Sequence, residues 1–140
     1  MSERQDVTGG CLCGDIRFKL SGSPHLAEYC HCDSCRKAVG APVVAWAGFG
    51  LGQFEITVGS PECYASSPGV ERTFCKRCGT SLTQFATEFP DEIYVSVSVL
   101  DDPTVMAPDT HIWRSERLPW FETTDDFPRY LQFKSGGVLE

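Results

Sequence analysis

Ile93-Tyr94-Val95-Ser96-Val97-Ser98-Val99 alternates apolar and polar side chains without a break. Successive side chains of an extended chain point to opposite faces, so the pattern predicts a strand with one buried face. Outward from it, Asp15 to Leu20 alternates in the same way, and Gln53 to Val58 and Ser81 to Ala86 read as further strands. Pro42 to Phe49 is an apolar run carrying Val43, Val44 and Trp46, suited to a buried strand. Asp33 to Val39 predicts one or two helical turns, and Asp125 to Tyr130 another. Thirteen glycines and nine prolines cut the chain into short segments, and no internal repeat or low-complexity run interrupts them. The expected class is therefore mainly β, built from short strands.

The 140 residues suffice for one domain over 1–140 with a core of its own. A hydrophobic content of 41% argues against a disordered chain, and no apolar run approaches the ~18 residues that span a bilayer. The net charge of -7 lacks the basic surplus that displaces counterions, so neither nucleic acid nor membrane is an expected partner. Met1 to Gly10 is polar and has no apolar core, so no secretory signal is expected and the cytoplasm is the expected compartment. The last residues, about 131–140, contain Gly136-Gly137 and are expected to be flexible.

Eight cysteines carry the chemical information. A reducing compartment would not keep them as structural disulfides. Cys75-Lys76-Arg77-Cys78-Gly79 has the form of a turn that places two sulfurs on one metal, with glycine free to take the unusual angle that follows. The alternative is a thioredoxin-like redox pair, which belongs in a βαβ context absent here. In Cys11-Leu12-Cys13, extended geometry turns both cysteines to one face and Leu12 to the other. Two small buried hydrophobes are the alternative there. Together the two pairs complete a four-thiolate site.

Cys30, Cys32 and Cys35 remain. Zinc held by three protein ligands with an open fourth position is the pattern of catalytic sites. His31, His25, His111 and Cys63 are the candidates for closing it. His31 lies between two ligands and would face away from them, and Cys63 reads as an inert small hydrophobe. Iron competes with zinc for thiolates.

The chain resembles the glutathione-dependent formaldehyde-activating enzyme family, of GFA or carbon–sulfur lyase type. The residues that carry the resemblance are Gly9-Gly10-Cys11-Leu12-Cys13-Gly14, Cys30 to Lys37 with Gly40-Ala41-Pro42, Phe74 to Thr80 with Leu82, Leu100 to Pro103, and His111-Ile112-Trp113 through Pro119-Trp120. It covers about residues 8–121. The resemblance implies an Mss4-like β-tent of short antiparallel strands organised around zinc. It implies a structural zinc on Cys11, Cys13, Cys75 and Cys78. It also implies a second zinc on Cys30, Cys32 and Cys35, where a thiol such as glutathione approaches.

An open zinc lowers the pKa of a bound thiol, and the thiolate can add to an aldehyde carbon or leave from the adduct. The expected function is thus a zinc-dependent carbon–sulfur lyase or thiol-adduct enzyme using two zinc ions and a small thiol, glutathione or its adducts. A non-catalytic, zinc-stabilised module that binds a protein partner is the alternative. Arg36 and Lys37 are candidates to meet the carboxylates of glutathione, or are plain surface charge. Trp46, Trp113 and Trp120 either wall a pocket or fill the core. His111 is a candidate acid or base.

Overall fold

Residues 6–140 are described by the structure, a computed structural model. The reading of Met1 to Gly10 as free of a secretory signal falls in part on residues 1–5, outside the described residues. The described chain is mainly β. Its elements are β1 (Val7–Gly10), β2 (Arg17–Leu20), β3 (Leu26–Cys30), α1 (Asp33–Val39), β4 (Val44–Gly50) and β5 (Phe54–Val58). They continue as β6 (Glu62–Ser67), β7 (Val70–Phe74), β8 (Ser81–Ala86), β9 (Glu92–Ser96) and β10 (His111–Ile112). One sheet has three strands in the order β1-β2-β5, and the other has seven in the order β10-β3-β4-β9-β8-β7-β6. Every pairing between these strands is antiparallel except one: β10 runs parallel to β3, setting His111 opposite Tyr29 and Ile112 opposite Cys30.

The main core comprises Phe18 and Leu20 of β2, Ala47 and Phe49 of β4, Leu82 of β8 and Val95 of β9. β4 is covered on both faces, as its unbroken apolar run requires. Its Ala47 and Phe49 enter this core, while Val44 and Trp46 join a second cluster with Cys30, Cys35 and Ile112. That second cluster is the floor of the site.

Two predicted spans are corrected. The strand expected over 93–99 ends at Ser96, and Val97–Val99 forms a 3₁₀ turn. Leu100 N–H donates to Val97 C=O at 3.2 Å, and both side chains are buried. A 3₁₀ turn puts residues three apart on one side, which an extended strand does not. Asp125 to Tyr130 is not helical. The Asp125 carboxylate accepts from Phe127 N–H at 3.0 Å, and Pro128 disfavours helical geometry at Phe127. The backbone there is used by β10 instead: His111 N–H donates to Pro128 C=O, and Tyr130 N–H to His111 C=O, each at 2.9 Å.

Within residues 131–140, where a flexible tail is expected, the backbone and Glu140 make hydrogen bonds. Leu131 N–H donates to Val138 C=O at 2.8 Å and Glu140 N–H to Arg129 C=O at 2.7 Å. The Glu140 carboxylate lies 2.7 Å from Nε of the buried Arg114.

Candidate metal centres

Cys11 and Cys13 follow β1 directly, and Cys75 and Cys78 follow β7, so the first group joins an end of each sheet. Gly14 and Gly79 adopt φ of 85° and 80°, the left-handed region where a side chain costs strain. Thr80 ties the two turns together: its Oγ1 accepts from Leu12 N–H at 3.1 Å, and its C=O accepts from Cys75 N–H at 3.0 Å. Leu12 itself points outward, 89% exposed. The sulfurs of Cys11 and Cys13 are 3.6 Å apart and those of Cys13 and Cys75 3.7 Å. Ligands at ~2.3 Å around a tetrahedral zinc would stand ~3.8 Å from one another, so the donor set fits the metal. All eight cysteines are free. The Thr80 hydroxyl and backbone hold the Cys78 thiol down at about 5, which favours the thiolate form a metal requires.

Cys30, Cys32 and Cys35 form the second group, their sulfurs within 4.8 Å of one another. Cys30 ends β3, Cys32 caps α1 by accepting from Cys35 N–H at 3.3 Å, and Cys35 lies in the first turn of the helix. Cys30 and Cys35 are both buried, with sulfurs 3.6 Å apart. Hydrogen bonds from Cys30 and Cys32 hold the Cys35 thiol far down, and the Arg72 guanidinium acts the same way. The neighbouring sulfurs and burial push Cys30 up.

No fourth His, Cys, Asp or Glu joins these three among the described residues. His31 faces away, as alternation predicts, with Nε2 2.8 Å from Nδ1 of His111. His111 is held in turn by Asp125 at 3.0 Å, and this pair serves the β10 edge rather than the sulfur cluster. His25 pairs with Glu92 at 3.1 Å. Cys63 is exposed on edge strand β6 and joins neither sulfur group; almost every β6 side chain is bare, so no core forms there.

The second group opens into a cleft of about 440 Å³. Trp46 is buried and Trp113 half-buried, and both line it; Trp120, 73% exposed, is outside this lining and borders a separate groove beside Pro42 and Leu118. Phe133 meets Trp113 and Phe89 edge-on, with centroids at 5.3 and 5.7 Å, and so closes an aromatic wall. Arg36 and Lys37 are absent from the lining. Arg36 donates to the carbonyls of His31 and Glu116, each at 3.1 Å, and Lys37 pairs with Asp33 at 3.5 Å. The cleft instead receives Glu28, Gln84, Tyr94 and Arg72, which the sequence reading did not single out. Burial lifts the Glu28 carboxyl to about 7. The Tyr94 hydroxyl donates to Glu92. Arg72 donates from both terminal nitrogens to Cys35 Sγ, at 3.6 and 3.7 Å, and from Nε to the Ser66 hydroxyl at 3.1 Å. No spacing motif announces single polar residues; only their inward phase on a strand could have found them.

A mainly β fold with one four-cysteine group between its sheets and one three-cysteine group open to a cleft defines a class of protein whose sulfur groups could hold metal ions. Within that class the chain belongs to the family described as glutathione-dependent formaldehyde-activating enzyme, whose model matches residues 6–116. It is 28% identical over 126 residues to a Halomonas elongata protein named "Putative glutathione-dependent formaldehyde-activating enzyme", covering 83% of this chain and 80% of that one. It is 38% identical over 80 residues to an uncharacterized lyase of Schizosaccharomyces pombe, covering 55% of this chain and 56% of the relative. A crystal structure of a Rhodobacter sphaeroides protein shares the fold, with a TM-score of 0.59 at 23% identity over 71% of this chain and 94% of that one.

Proposed function

We propose that the protein is a zinc-dependent enzyme that makes or breaks the carbon–sulfur bond of a thiol adduct, glutathione–aldehyde adducts being the substrate class to try first. Cys11, Cys13, Cys75 and Cys78 hold a structural zinc, and Cys30, Cys32 and Cys35 a second one. The observation that carries the reading is the count at the second group: three sulfurs, no fourth His, Cys, Asp or Glu among the described residues, and a cleft above them. Zinc bound there would lower the pKa of an incoming thiol and supply a thiolate at neutral pH. The chain's own residues do the rest. Trp46, Trp113 and Tyr94 shape the walls against which the adduct's hydrocarbon part can lie, and they reduce the water around the sulfur. The family membership and the relative named a lyase support the same reading.

The experiment is metal analysis followed by zinc-edge absorption. Two zinc ions per chain are expected. The average sulfur count per zinc should rise from about 3.5, the mean of four and three, towards 4 on adding glutathione. An unchanged average with both metals present would favour a closed site, and with it a non-catalytic interaction module.

A further inference from the structure

Arg72 is a cation almost sealed from water, 7% exposed. A guanidinium in such a place requires a nearby anion, because burying an unpaired charge costs several kcal/mol. Among the described residues its hydrogen-bond partners are the Ser66 hydroxyl and the Cys35 sulfur, and no carboxylate pairs with it. Of these two, only Cys35 can carry the compensating charge. Two more polar groups stand in the same cleft. The Gln84 amide lies 3.6 Å from Cys35 Sγ. The indole N–H of Trp46, which packs in the same cluster as Cys35, is buried without a hydrogen-bond partner. Against a thiolate, which cannot donate, the Gln84 amide would turn its NH₂ inward. Cys30 and Cys32 meet sulfur and backbone instead: Cys30 Sγ lies 3.6 Å from Cys35 Sγ, and Cys32 accepts the backbone N–H that caps α1.

We infer that Arg72, assisted by Gln84 and Trp46, is a positioning residue for the Cys35 thiolate that offsets the charge of the three-cysteine centre, so that an anionic substrate thiolate can enter beside it. Three thiolates around a divalent ion leave one net negative charge, and a substrate thiolate makes two; Arg72 returns one. Hydrogen bonds to a thiolate also withdraw electron density from the sulfur and weaken its donation to the metal. The second half of the inference rests on the thiol-binding reading above; the first half does not.

The test uses the full chain loaded with cobalt(II), whose sulfur-to-metal absorption reports the energy of the sulfur lone pairs. Arg72 touches one centre, so the difference between wild type and Arg72→Gln isolates that centre's bands. The band is expected to move to lower energy in Arg72→Gln, and glutathione binding to weaken about 10- to 100-fold. Arg72→Lys keeps the charge without the two-pronged geometry, and should recover part of the affinity while the band stays shifted. Gln84→Leu should shift the band less, in the same direction, and decides the matter if Arg72→Gln does not fold. Unchanged bands and unchanged affinity in a folded variant would overturn the inference. If the wild type binds no thiol, the thiol-binding reading fails, while the cage still stands or falls on the band shift.

Discussion

Trp113 holds the least comfortable backbone among the non-glycine residues described, with φ of 57°. The left-handed region costs an L-residue about 1–2 kcal/mol, because Cβ crowds the following carbonyl. The strain is held in place by neighbours: Trp113 N–H donates to Gln132 C=O at 3.0 Å, and the ring packs edge-on against Phe133. Removing the indole from the cleft wall should lower stability in any variant. The order among variants follows from the backbone. Trp113→Gly is expected to be more stable than Trp113→Ala by about 1 kcal/mol, the reverse of the usual rank. Urea denaturation of the two variants checks it, and equal midpoints would mean that the segment relaxes once the ring is gone. The cysteine pairs were legible at this scale because CxC and CxxC fix geometry through spacing. Arg72 and Glu28 were not, since a single charged residue in a strand has no spacing to read.

Elements were legible wherever periodicity and burial agree. Ser81 to Ala86 and Asp33 to Val39 have the bounds the pattern gave. The β6–β7 hairpin was not read, because exposed β6 lacks an apolar face to mark it. The contacts of the C-terminal segment were not legible for a different reason: beside backbone hydrogen bonds such as Trp113 N–H to Gln132 C=O, they include an ion pair to the distant Arg114. Arg114 is buried, with Glu140 at 2.7 Å and Glu122 at 2.8 Å, and its remaining terminal nitrogen has no partner. Removing the Glu140 charge leaves much of that cation facing an exposed Glu122, and Glu140→Gln should cost about 1–3 kcal/mol at pH 7. The hydrogen bond from Arg114 holds the Glu140 carboxyl below its ordinary 4.5. A carboxyl depressed in the native state contributes fully above its unfolded value and loses that contribution as the pH falls through the native one. The gap between wild type and Glu140→Gln should therefore be complete at neutral pH and close progressively below about 4.5. A gap that stays constant into the acid range would mean the glutamate acts by packing and not by charge.

For the whole molecule, the decisive difference between the two cysteine groups is how far apart in the chain their members lie. Cys11 and Cys13 leave the three-stranded sheet and Cys75 and Cys78 leave the seven-stranded one, so a metal held there would close a long loop and lock the two sheets together. Cys30, Cys32 and Cys35 lie within one β3–α1 turn, which backbone hydrogen bonds and the Cys32 cap already shape. Structural zinc sites contribute roughly 10–16 kcal/mol of apparent binding free energy, as large as the ~5–15 kcal/mol net stability of an ordinary domain. The sheets also share the main core, where Phe18 and Leu20 of β2 meet Ala47, Phe49, Leu82 and Val95, but burial of that core is largely offset by the conformational entropy of ordering the chain, so losing a metal-sized contribution can exceed the net stability that remains. Cys75→Ser or Cys11→Ser is therefore expected to abolish cooperative unfolding or leave the protein aggregated. Cys32→Ser should stay folded, with near-wild-type circular dichroism and about one zinc per chain fewer. Chelator should act in two stages, taking the second metal without loss of structure and the first only with unfolding. Equal unfolding of Cys75→Ser and Cys32→Ser would make the second group structural as well, because a ligand that holds no distant segment can be essential for folding only if the cleft around it collapses without the metal.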